Sequence, residues 1–141
     1  MTDHTRAAST RRFTFSAGHR YWVESWSREE NERFFGRLTV PHGHNYTLDV
    51  TVRGPIDAET GMVIDLKHLK DIVSERVVDH VDHRNLNEDV PFLHGIIPTA
   101  ENLARAFWRQ IAPAIDHGEL HEIVLQETEK NSVSYRGEDE R

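Results

Sequence analysis

From His42 to Arg53 the chain alternates at every step. His42, His44, Tyr46, Leu48, Val50 and Val52 hold the even positions, against Asn45, Thr47, Asp49, Thr51 and Arg53. A period of two is the signature of a β-strand with one packed and one wetted face, and it predicts a strand from about His44 to Arg53. A shorter stretch, about Arg12 to Ala17, repeats the pattern: Phe13, Phe15, Ala17 and then His19 share one phase. Each histidine therefore projects from the same face as its strand's apolar residues. A solvent-seeking imidazole gains little there unless something inside binds it. Three neutral imidazoles with one open coordination position form a common catalytic zinc arrangement, so His19, His42 and His44 are candidate metal ligands. The His-x-His pair alone also suits hydrogen-bonded core or surface histidines. The third ring in phase favours a metal.

Beyond the strands the period changes. Gly54-Pro55 and the cluster from Asp57 to Gly61 mark turns, and Met62-Val63-Ile64 reads as a short strand returning beside the long one. Asp65 is placed to cap a helix whose stripe is Leu66, Leu69, Val73 and Val77, ending near Val81. Asn85 and Asn87 fall in its exit loop. Thr99, after Pro98, opens a second helix with Leu103, Ala104, Phe107 and Ile111 inward, and Pro113 stops it. Two last strands are expected at Glu122 to Thr128 and Ser132 to Arg136. The segment from Glu24 to Arg33 is a loop or short helix. The order ββααββ predicts an α+β fold, an antiparallel four-stranded sheet with two helices on one face. Such a sheet leaves a face and its edges uncovered, which points to a homo-oligomer.

Composition narrows the functions. The chain has 141 residues, 37% hydrophobic and 29% charged, the profile of one ordinary globular domain. No apolar run approaches a membrane span and no signal-peptide core is visible, so a cytoplasmic protein without membrane attachment is expected. A net charge of −7 argues against nucleic acid as a partner, though not against a small anionic substrate. Residues 1–11 and 138–141 are polar and read as flexible tails around a single domain over 12–137. Cysteine is absent, which removes disulfides, thiolate ligands and thiol nucleophiles together.

Two further groups have two readings each. Asp82-His83 either complements a helix C-terminus or forms a carboxylate-tuned acid/base pair. Glu127, in phase with Ile123 and Leu125, either reaches solvent at a strand end or accepts two parallel N–H donors of a heterocycle. Glu101 by default favours the positive end of its helix, and Thr99 caps it. A His-x-His pair also opens the metal motif of cupins, but two amphipathic helices sit where a jelly roll needs strands.

Taken in order, the segments Phe15-Ser16-Ala17-Gly18-His19-Arg20, Glu29-Glu30-Asn31, Phe35-Gly36, His42-Gly43-His44-Asn45-Tyr46, Gly61-Met62-Val63-Ile64-Asp65-Leu66, Asp82-His83-Arg84-Asn85-Leu86, Pro98-Thr99-Ala100-Glu101-Asn102 and Glu127-Thr128 resemble the 6-pyruvoyltetrahydropterin and 6-carboxytetrahydropterin synthase family. The resemblance implies a tunnelling fold, in which strands of several subunits join into an oligomeric barrel, typically a hexamer made as a dimer of trimers. It implies zinc on His19, His42 and His44, proton transfer by Asp82 and His83, and pterin held by Glu127 with Thr99 and Glu101. The implied activity is lyase chemistry on the side chain of 7,8-dihydroneopterin triphosphate. One departure stands out. The family's usual base is a cysteine shortly before His-Gly-His, where this chain has Leu38 at one family spacing and Gly36 at the other. His83, or a carboxylate between Glu24 and Glu32, is left as the base for an aldolase-like cleavage. A pterin- or zinc-binding module without turnover is the non-enzymatic alternative.

Overall fold

The computed structural model describes residues 5–140. Its elements are β1 (Arg6–His19), α1 (Arg28–Phe35), β2 (His42–Pro55), α2 (Leu66–Val73), β3 (Arg84–Asn85), α3 (Ala100–Ile111), β4 (Glu119–Gln126) and β5 (Ser132–Tyr135). The fold is α+β, with one sheet of order β3-β1-β2-β4-β5. The expected sheet was four-stranded and antiparallel. The fifth strand, β3, is two residues long and runs parallel to β1, pairing Ala17 with Arg84 and Gly18 with Asn85. It lies in the predicted exit loop, and main-chain hydrogen bonds recruit it, His83 N–H donating to Ser16 O and Leu86 N–H to Gly18 O, flanked by bonds to the side chains of Asp82 and Asn87. No side-chain alternation marks so short a strand.

Pairing of β1 with β2 is unbroken from Arg6↔Pro55 to His19↔His42. The tail expected over residues 1–11 is thus largely strand from Arg6 onward, while residues 1–4 lie outside the described residues. Residues 6–11 have no apolar alternation to betray them, because they are held by their ladder and by contacts such as Thr10 Oγ1 to Thr51 Oγ1 (2.7 Å). The other tail is also tied down. Glu138–Glu140 form a 3₁₀ turn whose Glu140 accepts from Arg109 Nε (2.9 Å), and Arg141 lies outside the described residues.

The buried strand residues keep one phase: Phe13, Phe15, Ala17 and His19 on β1, Tyr46 to Val52 on β2, Ile123 and Leu125 on β4. Against them pack Leu69, Val73, Val77 and Val81 from the second helix and Leu103, Ala104, Phe107 and Ile111 from α3. Helix starts follow the expected caps, Asp65 accepting from Lys67 N–H and Thr99 from Asn102 N–H. After Val73 the helix continues through a π turn, Ser74–Val78, and a final turn, Asp79–Val81. In a regular helix each four-residue step overshoots a turn by about 40°. The wider π turn offsets that drift, so all four residues of the Leu69-Val73-Val77-Val81 row stay fully buried. Met62-Val63-Ile64 does not form the expected strand; it crosses as a loop, with Val63 and Ile64 buried. Among the described residues no helix is long and apolar enough to cross a membrane.

Gly137 shows how the C-terminal turn is fitted. Its φ is 66°, and a Cβ there would lie 2.2 Å from the buried Trp108 ring. Gly137→Ala is expected to lower stability by about 2–4 kcal/mol, combining left-handed backbone strain with overpacking. The check is the urea midpoint; an unchanged midpoint would mean that the Trp108 contact is not part of the packed state.

Candidate functional site

His19 is the last residue of β1 and His42 the first of β2, and the register sets them directly opposite each other. His44, two residues on, faces the same side and is the diagonal neighbour of His19. Ring centroids are 4.7 Å apart for His19–His42, and 5.1 Å for both His19–His44 and His42–His44. One ligand nitrogen from each ring lies within 4.8 Å of the others.

The tautomers follow from the neighbours. His19 Nδ1 donates to Pro98 O (2.8 Å) and His42 Nδ1 to Val40 O (2.7 Å). A carbonyl only accepts, so each Nδ1 carries the proton and each Nε2 presents a lone pair. All three Nε2 atoms are buried without a hydrogen-bond partner. Buried polar atoms are ordinarily satisfied, so three convergent unsatisfied lone pairs mark a candidate cation site. Burial, aided by the adjacent His42 and His44, pushes His19 down to about 4. Burial lowers His44 too, against the pull of Glu127. Neutral rings are what a divalent metal needs.

Glu127 comes to the edge of this cluster. It follows β4 at the mouth of the β4–β5 hairpin, where its N–H donates to Asn131 O. Its side chain is 15% exposed, with Oε1 3.6 Å from His44 Nε2. Tyr21 O–H donates to its Oε2 (3.2 Å). Tyr21 also sets its ring edge-on to His19, at 5.1 Å between centroids. Burial, then Glu127, raises the Tyr21 hydroxyl above its usual range, so it stays a donor. Tyr21, Thr99, Glu101, Glu127, Asn131 and Ser132 line a cavity of about 360 Å³. Sequence reasoning missed Tyr21, although it is in phase with Ala17 and His19 and could have been found that way. Thr99 also serves as the cap of α3, so the cavity wall and the helix start are one feature.

Asp82 and His83 are brought to each other but not to this cavity. His83 Nδ1 lies 3.0 Å from Asp82 Oδ1, an atom that also accepts from Ser16 N–H (3.0 Å). His83 has φ 60° and a side chain 79% exposed. It lines a second cleft with Ser16, Ala17, Gly18, His44, Asn45 and Asn85. Ser16, Gly18 and Asn45 are out of phase with the three histidines on their strands, while His44 borders both this cleft and the trio. Leu38 sits in a 3₁₀ turn, Gly36–Thr39, and its carbonyl accepts from Tyr21 N–H (2.8 Å), which brings the cysteine-less loop beside the site. Glu24, Glu29, Glu30 and Glu32 are exposed, and Glu30 is engaged in a capping box with Ser27.

Comparisons with known proteins agree with this geometry. The family model for 6-pyruvoyl tetrahydropterin synthase matches residues 8–138. A 6-pyruvoyl tetrahydrobiopterin synthase of Dictyostelium discoideum is 43% identical, covering 92% of this chain and 95% of that protein. The human 6-pyruvoyl tetrahydrobiopterin synthase is 41% identical over 94% of this chain and 93% of its own. The solved 6-pyruvoyl tetrahydropterin synthase of Caenorhabditis elegans superposes with a TM-score of 0.91 at 37% identity, covering 97% of this chain and 99% of that one. With its fold and nearly its whole length matched, the chain belongs to the 6-pyruvoyl tetrahydropterin synthase family of lyases.

Proposed function

We propose that this protein is a zinc-dependent lyase of the cytoplasm that acts on the side chain of 7,8-dihydroneopterin triphosphate. The observation that carries the reading is the trio of buried, unpartnered Nε2 atoms on His19, His42 and His44. Three imidazole nitrogens with no thiolate or hard oxygen cage suit zinc. When bound, zinc supplies Lewis acidity toward the hydroxyl oxygens of the substrate side chain.

The chain's own groups do the rest. Glu127 accepts paired N–H donors from the amino-pyrimidine edge of the pterin, and Tyr21 O–H holds the carboxylate in place. Thr99 and Glu101 close the wall behind the ring. Asp82 orients His83, whose imidazole takes a proton from the side chain and returns it at a neighbouring carbon before triphosphate leaves. Because His83 opens onto a different cleft from Glu127, we place the complete site between subunits of a homo-oligomer, a hexamer of two trimers, with the pair delivered from a neighbour. The open sheet edges and the 79% exposure of the His83 side chain support that arrangement.

A second reading has its own observation. No cysteine exists in the chain, and Leu38 stands beside Tyr21 where the family's thiol is expected. A single base suffices for an aldolase-like cleavage: it removes a hydroxyl proton, the adjacent carbon–carbon bond breaks, and the carbanion left on the pterin side is protonated. His83 can fill that one role.

Incubating metal-loaded protein with 7,8-dihydroneopterin triphosphate and weighing the products separates the readings. A pyruvoyl or carboxy pterin supports the first, a hydroxymethyl pterin the second. Tight binding with no consumption would leave a binding module. His42→Ala is expected to abolish tight zinc retention at this trio on dialysis, measured by elemental analysis. Glu127→Ala should weaken pterin binding roughly 10- to 100-fold, the range for a charge-assisted pair of hydrogen bonds, and leave that zinc in place. Equal pterin affinity in the variant would remove Glu127 as the anchor.

A further inference from the structure

At the other end of the sheet, His68, Asp116 and His117 bring one ligand atom each within 4.8 Å of one another. His68 Nε2 lies 3.0 Å from both Asp116 oxygens, and His117 Nδ1 lies 3.0 Å from Oδ1. His68 comes from the first turns of α2, whereas Asp116 and His117 belong to the loop before β4. Two elements distant in sequence thus aim two imidazoles at one carboxylate. Ligands of a tetrahedral first-row ion, bound at about 2.1 Å, sit about 3.4 Å apart. The spacing here brackets that value, so closure asks only about an ångström of movement from partly exposed side chains.

The loop backbone is fixed before any ion arrives. Gly118 has φ 73°, and a Cβ there would lie 2.8 Å from Arg53 O, so Asp116-His117-Gly118 runs hard against the end of β2. On the open side, His68 and His117 border a cavity of about 530 Å³ together with Asp57, Asp65 and Thr60. The cluster is also separate from the histidine trio. Nine steps of extended strand separate His44 from Arg53, about 30 Å at the usual rise.

We propose that His68, Asp116 and His117 form a second site, for a divalent transition-metal ion bound through two imidazoles and one carboxylate. One side of the ion faces the cavity, where water or a small anion completes its coordination. Bound there, the ion cross-links α2 to the loop preceding β4, two segments otherwise joined by exposed hydrogen bonds. It therefore acts as a clamp at the end of the sheet remote from the trio, and it stabilises the folded chain by mass action.

The test is titration of the dialysed full-length protein with Zn²⁺ by calorimetry, and with Co²⁺ by visible absorption. Two classes of site are expected. The double substitution His68→Ala with His117→Ala should weaken one class at least ten-fold and leave the other, whereas His42→Ala should do the reverse. Asp116→Asn is the milder second variant and should weaken the same class as the double substitution. Added zinc should raise the melting temperature of His42→Ala protein and not that of the triple variant lacking His42, His68 and His117. Zinc binding left undisturbed by the His68/His117 and Asp116 substitutions overturns the proposal, and so does a His42→Ala protein that binds no zinc. Failure of the trio to bind zinc leaves this test intact, because the two sites are read from different variants.

Discussion

Everything at the candidate centre depends on the register between β1 and β2. Opposing His19 with His42 puts three rings on one side of the ladder, and the same alignment buries Phe13, Phe15, Leu48, Val50 and Val52 beneath the helices. A slip of one residue would turn each histidine and each of those apolar side chains to the opposite face. The hydrophobic core therefore enforces the geometry of the polar site. The three Nε2 atoms can remain desolvated because the packing around them is determined elsewhere on the same two strands.

The groups that orient the histidines come partly from the helix layer. Pro98 O, at the entrance to α3, accepts from His19, and Thr99 next to it caps that helix and walls the neighbouring cavity. Placement of α3 on the sheet and orientation of a ligand are consequently coupled. Tyr21 performs the matching task on the other side, bridging from the ring of His19 to the carboxylate of Glu127. Proton positions on two imidazoles are set by carbonyl acceptors, an outcome of backbone geometry that persists at any pH where the rings are neutral.

Where periodicity was long, the sequence was readable. The alternation of β2, the stripes of both long helices, and the caps Asp65 and Thr99 all have structural counterparts at the expected residues. Residues 6–11 were not readable as strand, since nothing apolar alternates there and the ladder is made by main-chain atoms. β3 was missed for the same reason, and Met62-Val63-Ile64 was misread because three apolar residues can be buried by a crossing loop as well as by a strand. At the site, alternation located the three histidines and put Glu127 on the inner side. It did not reveal Tyr21, which lies beyond the end of β1, and it could not place Asp82 and His83, whose position is fixed by a left-handed residue and a parallel pairing.

The excursion from Arg20 to Pro41 leaves the sheet at one imidazole and re-enters it at another. Its two ends are therefore anchored by neighbouring ladder rungs, whatever the intervening chain contains. Changes confined to the middle of that detour leave the paired ends and the three rings in place, whereas changes at Tyr21 or Val40 reach the partners of His19 and His42. The 3₁₀ turn that carries Leu38 can accordingly vary in side chain without shifting the rungs from which the rings project.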